Sequence, residues 1–227
     1  MKASFLQKKY PEFIYQNYNW KISNRKLKIF FNFSIPPKIH FRPEITILNI
    51  PPNQKKNLEK VLNNLIFHLG LIESLSYWKA TCSPKIKILT GSLKKEQISW
   101  WKDLIINGMG QFFYENRIDF LKPNFLKINT CPRPGLGQVY QGELKRQVLI
   151  PIGGGKDSIV TLEILKKAKK PISCFSLNPN KISKKIMNIA GCKKPIIVKR
   201  KIDKRLLELN RKGFLNGHTP FSAYLAF

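Results

Sequence analysis

An apolar run that turns through three glycines and then enters a helical pattern constrains this chain more than any other stretch. Val148-Leu149-Ile150-Pro151-Ile152 reads as a strand and Gly153-Gly154-Gly155 as the turn. Lys156, Asp157 and Ser158 then lead into a helix carrying Ile159, Leu162 and Leu165. A strand, a glycine turn and a helix N-terminus form a natural cradle for a polyphosphate. Glycine lets the backbone adopt left-handed angles and removes the Cβ from the path of an anion, while the helix offers free N–H groups and the positive end of its dipole. Asp157 or Ser158 is expected to cap that helix. Downstream the elements alternate: a strand over 172–177 and a helix opened by Asn178-Pro179-Asn180 and closed by Gly191. A strand at Ile196-Ile197-Val198 and a helix over 203–210 follow. This βαβαβα order predicts an α/β region with a doubly wound parallel sheet, whose ligands bind beyond the C-terminal strand ends. One rim should therefore hold 153–158 together with Ser176 and Asn178. Three strands alone would leave a bare edge, so the sheet is expected to be incomplete.

The loop does not match the common phosphate motifs. A Walker loop requires Ser or Thr after its lysine, and here Asp157 follows Lys156; a dinucleotide fingerprint requires a later glycine where Lys156 and Asp157 stand. The remaining pattern resembles the S-G-G-x-D-S signature of the PP-loop ATP pyrophosphatases, with Gly153 in place of the first serine. That resemblance implies a PP-loop, HUP-like fold, with Gly153, Gly154, Gly155, Lys156, Asp157 and Ser158 gripping the β,γ-phosphates of ATP. Ser176 and Asn178 would then lie nearer the nucleoside. An ordinary glycine-rich turn is the plainer alternative.

Upstream, the pattern is of another kind. Trp20 and Ile22, a turn at Ser23-Asn24-Arg25, then Leu27, Ile29, Phe31 and Phe33 alternate as a hairpin with one apolar face, and 45–50 adds a strand. A helix is expected from Asn53 to about Lys79, with Leu58, Val61, Leu62, Leu65, Ile66 and Leu69 on its buried face and Gly70 as a break or a close-packing point. A short strand over 84–90 and a helical segment over 94–116, interrupted near Gly108-Met109-Gly110, follow. Trp101 is expected in the core. Residues 121–147 read as a linker, and Gly135 to Gly142 only superficially resembles a kinase glycine loop. The expected division is an N-terminal α+β domain over 1–146 and a nucleotide-binding domain, apparently truncated, over 147–227.

The 227 residues include 41 Lys plus Arg against 13 Asp plus Glu, a formal charge of +28. Such a field favours anionic partners, nucleic acid first among them, although lysines spread along the chain also fit a compositional bias. Cys82, Cys131, Cys174 and Cys192 form no C-x-x-C pair and are expected to be reduced thiols. There is neither a signal-peptide pattern near Met1 nor an apolar run of the ~18–20 residues that span a bilayer, which points to a cytoplasmic protein with no membrane insertion.

Four segments taken in order carry a second, broader resemblance: Phe67-His68-Leu69-Gly70-Leu71-Ile72-Glu73-Ser74 through Pro84, Gln97 to Trp101 with Gly108 to Asn116, the glycine loop, and Leu215 to Phe227. Together they resemble the MurL family, UDP-N-acetylmuramoyl-L-alanyl-L-glutamate epimerases of peptidoglycan precursor synthesis, whose members continue beyond the length of this chain. The resemblance implies ATP- and Mg²⁺-dependent inversion of the terminal L-glutamate of a UDP-muramoyl dipeptide through carboxylate adenylation. Asp157 is then a candidate Mg²⁺ contact, direct or through water. His218, His68, Glu73 and Cys82 are the candidates for moving the Cα proton, and no spacing singles one out. Two alternatives remain from the sequence: a PP-loop enzyme that modifies tRNA, which would use the charge directly, and an inactive truncated fragment that binds nucleotide weakly.

Overall fold

A computed structural model describes residues 1–50, 58–131 and 147–227. Asn24 and Arg25 both take positive φ, 49° and 57°, giving the tight primed turn that matches strand twist. They join β1 (Glu12–Ser23) to β2 (Lys26–Ile35), which pair antiparallel. After β3 (Ile39–Phe41), β4 (Glu44–Leu48) returns along β2. Three further strands, β7 (Val148–Pro151), β8 (Ile172–Leu177) and β9 (Ile196–Lys201), are mutually parallel, as the alternation predicted. The helices between and after them are α5 (Lys156–Lys167), α6 (Lys181–Ile189) and α7 (Lys204–Arg211).

The parallel strands do not form a separate open sheet with a bare edge after the third strand, because β4 pairs antiparallel with β9 along Glu44↔Lys201 to Ile47↔Val198. With β5 (Lys85–Ile88) and β6 (Lys127–Thr130), the strands among the described residues make one mixed nine-stranded sheet in the order β6-β5-β1-β2-β4-β9-β8-β7, with β3 beside β2. The physical reason is that an edge strand presents unpaired N–H and C=O groups, and the antiparallel hairpin ends in a strand able to take them. The sheet thus crosses the expected boundary near 146 unbroken, although apolar packing divides. A small cluster of Ile150, Ile152, Leu162, Cys174 and Met187 lies under α5 and α6, and a larger one surrounds β1 and β2.

The larger core is aromatic. Phe13, Tyr15, Phe31, Phe33 and Phe41 point from one sheet face against α2 (Leu58–Trp78), which brings Phe67, Tyr77 and Trp78. Gly70 lies inside this helix without breaking it. A Cβ there would come within 2.0 Å of the Tyr15 hydroxyl oxygen and 2.8 Å of Phe31, so glycine is what lets helix and sheet approach. The segment expected to be one interrupted helix is α3 (Lys95–Gly108) and α4 (Gly110–Glu115), with Trp101 buried and Trp100 half exposed. Three elements went unforeseen, α1 (Ala3–Lys9), β3, and β6 within the expected linker. The start of the helix expected from Asn53, residues 53–57, and the kinase-like loop at 135–142 lie outside the described residues. Cys174 and Cys192 are joined by a disulfide rather than both reduced, since β8 and the turn after α6 bring their Cα atoms to 6.2 Å; Cys82 and Cys131 are free thiols.

Gly70→Ala is expected to destabilise the fold by about 1–3 kcal/mol through overpacking against Tyr15 and Phe31. Gly110→Ala, where a Cβ meets nothing within 4 Å, should cost far less. Urea unfolding midpoints of the two variants check the contrast.

Candidate functional site

The glycine loop lies where the strand register requires, just past the C-terminal end of β7. Gly154 takes φ +101°, a conformation that favours glycine, and Gly155 is the N-cap of α5. Neither Asp157 nor Ser158 caps the helix as expected. Gly155 makes no side-chain cap bond, Asp157 sits in the first turn, and the Ser158 hydroxyl donates to the Gly155 carbonyl at 2.8 Å. The N-terminal amides of α5 therefore have no side-chain cap, which leaves them available to an anion. Lys156 and Asp157 form an ion pair with each other at 3.0 Å, and both are almost fully exposed. Gly154 also faces a second helix start: a Cβ on it would lie 3.6 Å from the Ser183 amide nitrogen of α6, whose own cap is the Asn180 side chain.

Ser176 and Asn178 do reach this rim, but their polar groups are occupied. The buried Ser176 hydroxyl donates to the Ile152 carbonyl at 2.7 Å, bracing the strand end that enters the loop. Asn178, with φ 48°, extends the pairing of β8 and β9 through its side chain: its Oδ1 accepts from the Arg200 backbone N–H at 2.9 Å and its Nδ2 donates to the Arg200 carbonyl at 3.1 Å.

Arg200 is the residue that the sequence reading missed. Between Lys199 and Lys201 it looks like part of a charge run, yet strand alternation turns it to the same side as buried Val198 and towards α2. Its Nε donates to Glu73 Oε2 at 2.8 Å and its Nη2 to Glu73 Oε1 at 3.1 Å and to the Ser76 hydroxyl at 2.7 Å. The Tyr224 ring of α8 (Phe221–Ala226) packs 4.7 Å from its guanidinium carbon. Glu73 is wholly buried. Burial pushes its carboxyl pKa up, against the pull of Arg200 and the Tyr224 and Tyr77 hydroxyls. Burial pulls the Arg200 guanidinium down, but Glu73 holds it above its usual value. Nearby, Tyr77 accepts from the Asp203 backbone N–H at 3.2 Å, and Lys79 donates to the Gly217 carbonyl at 2.6 Å. Burial and then Arg200 lower the Lys79 amine pKa.

The four proton-transfer candidates are not brought together. Both Glu73 oxygens are engaged by Arg200. Cys82 lies in a buried turn at φ 49° with its thiol pushed up to about 12 by burial, and it is not a thiolate at neutral pH. His68 stacks near Trp101 and Phe227, and burial lowers its pKa. His218 is exposed, next to the Gly217 carbonyl that anchors Lys79. Among the described residues no group of three or more His, Cys, Asp or Glu is arranged to hold a metal ion, and no helix is long and apolar enough to cross a membrane. Asp157 offers a single carboxylate. That fits a magnesium ion carried largely by nucleotide phosphates and water, which needs only one or two protein carboxylates.

These features define an α/β protein with an uncapped, glycine-lined helix start at the carboxyl rim of parallel strands, the usual place for a nucleotide's phosphates. Residues 4–227 match the MurL N-terminal domain family, and the chain belongs to it. It is 28% identical over 216 residues to the UDP-N-acetyl-alpha-D-muramoyl-L-alanyl-L-glutamate epimerase of Salinispora tropica, covering 93% of this chain and 46% of that protein. Proteins of the same name from a Micromonospora strain and from Xanthomonas oryzae pv. oryzae are 29% and 30% identical, over 71% and 68% of this chain and 35% and 34% of their own lengths. The chain thus spans about half the length of these curated relatives or less. No solved structure matches.

Two outcomes follow from the buried groups. Glu73→Ala leaves the Arg200 charge buried and unpaired and is expected to cost about 3–5 kcal/mol in urea unfolding. Because folding lowers the His68 pKa, the unfolded chain binds the extra proton more readily; stability from this group is complete above about pH 6.5 and is lost as pH falls below it. The unfolding midpoint should drop between pH 7.5 and 5.5 by more in the wild type than in His68→Gln.

Proposed function

We propose that this chain carries the ATP-binding part of an epimerase that inverts the terminal glutamate of a UDP-muramoyl-L-alanyl-L-glutamate precursor. The observation that carries the reading is the family match over nearly the whole chain, with relatives named for that reaction. The uncapped α5 start supports it by supplying what a polyphosphate needs.

The proposed chemistry follows from the substrate. A free carboxylate suppresses the acidity of its neighbouring carbon, because deprotonation would put negative charge beside negative charge. In the proposed reaction a carboxylate oxygen of the substrate bonds to the α-phosphorus of ATP, and the bond to the β,γ-pyrophosphate breaks. The mixed anhydride has a more acidic Cα–H, so a base can remove the proton and an acid return one to the opposite face. Water then hydrolyses the anhydride to the D-glutamate product and AMP. In this scheme Gly153, Gly154, Gly155 and Ser158 shape the grip on the leaving pyrophosphate and Lys156 offsets its charge, while Asp157 contributes to Mg²⁺, which supplies charge neutralisation when bound. Of the four proton-transfer candidates His218 is the exposed one, and it is the residue we assign to proton transfer from this part of the protein.

Mg·ATP at roughly a hundred times its dissociation constant should raise the melting temperature by on the order of 5 °C. Gly154→Val, which strains the positive-φ position and places a side chain in the loop, should abolish the shift. Asp157→Ala should melt like the wild type without nucleotide but lose precursor-dependent AMP formation. A nucleotide shift that survives in Gly154→Val would overturn the loop assignment, and AMP formation independent of the muramoyl dipeptide would overturn the reaction.

A further inference from the structure

The sheet has two unlike faces. One is the buried aromatic face under α2; on the other, strand alternation turns lysines outward in i, i+2 pairs, Lys26 with Lys28 on β2, Lys85 with Lys87 on β5, and Lys199 with Lys201 on β9. The pairing register then sets them side by side. Lys28 lies directly opposite Lys21, the buried Thr46 comes next with its hydroxyl donating to Glu44 Oε1 at 3.2 Å, and Lys199 follows, so the positions of a single row across four strands supply three ammonium groups. At the far edge Lys85 lies opposite Lys127. Like charges placed directly across strands cost sheet stability, and no packing demand accounts for them on an open face. Two carboxylates share the paired positions of this face among the described residues: Glu12, bound to Lys85 at 2.6 Å, and Glu44 opposite Lys201.

The charge continues into a groove. Between α6 and the sheet is a cavity of about 390 Å³ whose lining includes Leu48, Ile197, Lys199 and Lys184. A second, of about 270 Å³, shares Leu48 and Pro195 with it and adds Arg25, Lys193 and Lys194. Among the described residues neither is lined by an acidic one.

We propose that this open face and its groove bind single-stranded nucleic acid through the phosphodiester backbone. Lysines ~6.8 Å apart along a strand and ~4.8 Å apart between strands form a lattice of point charges suited to repeated phosphates. Neighbouring strands rotate by about 20–25°, so a row over four strands is far from planar. A flexible polyanion can follow that surface, whereas a flat bilayer meets only part of it. Phe30 is the aromatic residue at these outward paired positions and is half-buried, so base stacking contributes little and binding is insensitive to sequence.

The test is fluorescence anisotropy with a labelled mixed-sequence RNA single strand, between about 50 and 200 mM salt. The triple variant Lys21→Gln, Lys28→Gln, Lys199→Gln should bind at least about tenfold more weakly at the low-salt end, and its salt slope should fall by roughly two units. A control triple variant, Lys95→Gln, Lys102→Gln, Lys122→Gln, removes the same charge from α3 and the loop after α4, and its affinity should change less than about twofold. Neither variant should melt below the wild type, and the first, relieved of the Lys21–Lys28 repulsion, should melt at or slightly above it. Equal losses in the two variants, or no RNA binding by the wild type at low salt, would overturn the proposal. So would a wild type that adsorbs to phosphatidylglycerol vesicles through these lysines while its RNA binding ignores them, since the face would then belong to a membrane surface.

Discussion

The buried pair of Glu73 and Arg200 is the contact on which the arrangement of this molecule depends. A carboxylate with no exposed surface is tolerated only when its charge is met at close range, and both of its oxygens are met by one guanidinium. That requirement fixes α2 against β9. Arg200 is in turn held by the Asn178 side chain, and two residues back along β8 Ser176 holds the last carbonyl before the glycine loop. Hydrogen bonds on either side of a short stretch of backbone thus connect a helix of the hairpin region to the strand end that carries the loop. Replacing buried ion pairs by apolar groups is often neutral in free energy, so the value of this one lies in register: only one placement of α2 on β9 satisfies both charges.

The β4–β9 seam makes this possible. It joins the antiparallel hairpin to the parallel strands, so that helix-covered and half-open portions belong to the same sheet. The seam also has an electrostatic consequence. With the aromatic face closed by α2 at the distance Gly70 allows, the lysines Lys21, Lys26, Lys199 and Lys201 are left exposed on the opposite face, while Ser34 and Thr46 on that face are buried.

Much of this was legible in the residues. The hairpin, the three parallel strands, the helix starts at Asn180 and Asp203 and the packing of Trp101 all follow from alternation, helical spacing and capping chemistry, which are local signals. The β4–β9 pairing was not legible, because it joins strands far apart in sequence and nothing local marks an edge as taken. Arg200 was hidden for a related reason: flanked by lysines it reads as surface charge, and only its partner on α2, 127 residues away in sequence, shows that it is buried in function. Glu73 was noticed, but as a possible base; a carboxylate's role depends on what faces it, which the sequence does not display. The disulfide between Cys174 and Cys192 depends in the same way on a crossover bringing a strand and a helix end together.

The two sides of the site differ in what it costs to disturb them. On the α2 side the polar contacts are buried, so removing one partner strands a charge or a hydroxyl away from water. On the loop side the Lys156–Asp157 pair is almost fully exposed and α5 starts without a side-chain cap. Exposed pairs of that kind contribute little, so exchanging it for phosphate oxygens and a metal ion sacrifices little folding free energy. The polar groups beside Gly154 are therefore free to re-pair, backed by a framework that is not. The proposed phosphate grip requires this division of labour, since its donors must be rigidly placed while remaining unsatisfied by the protein itself.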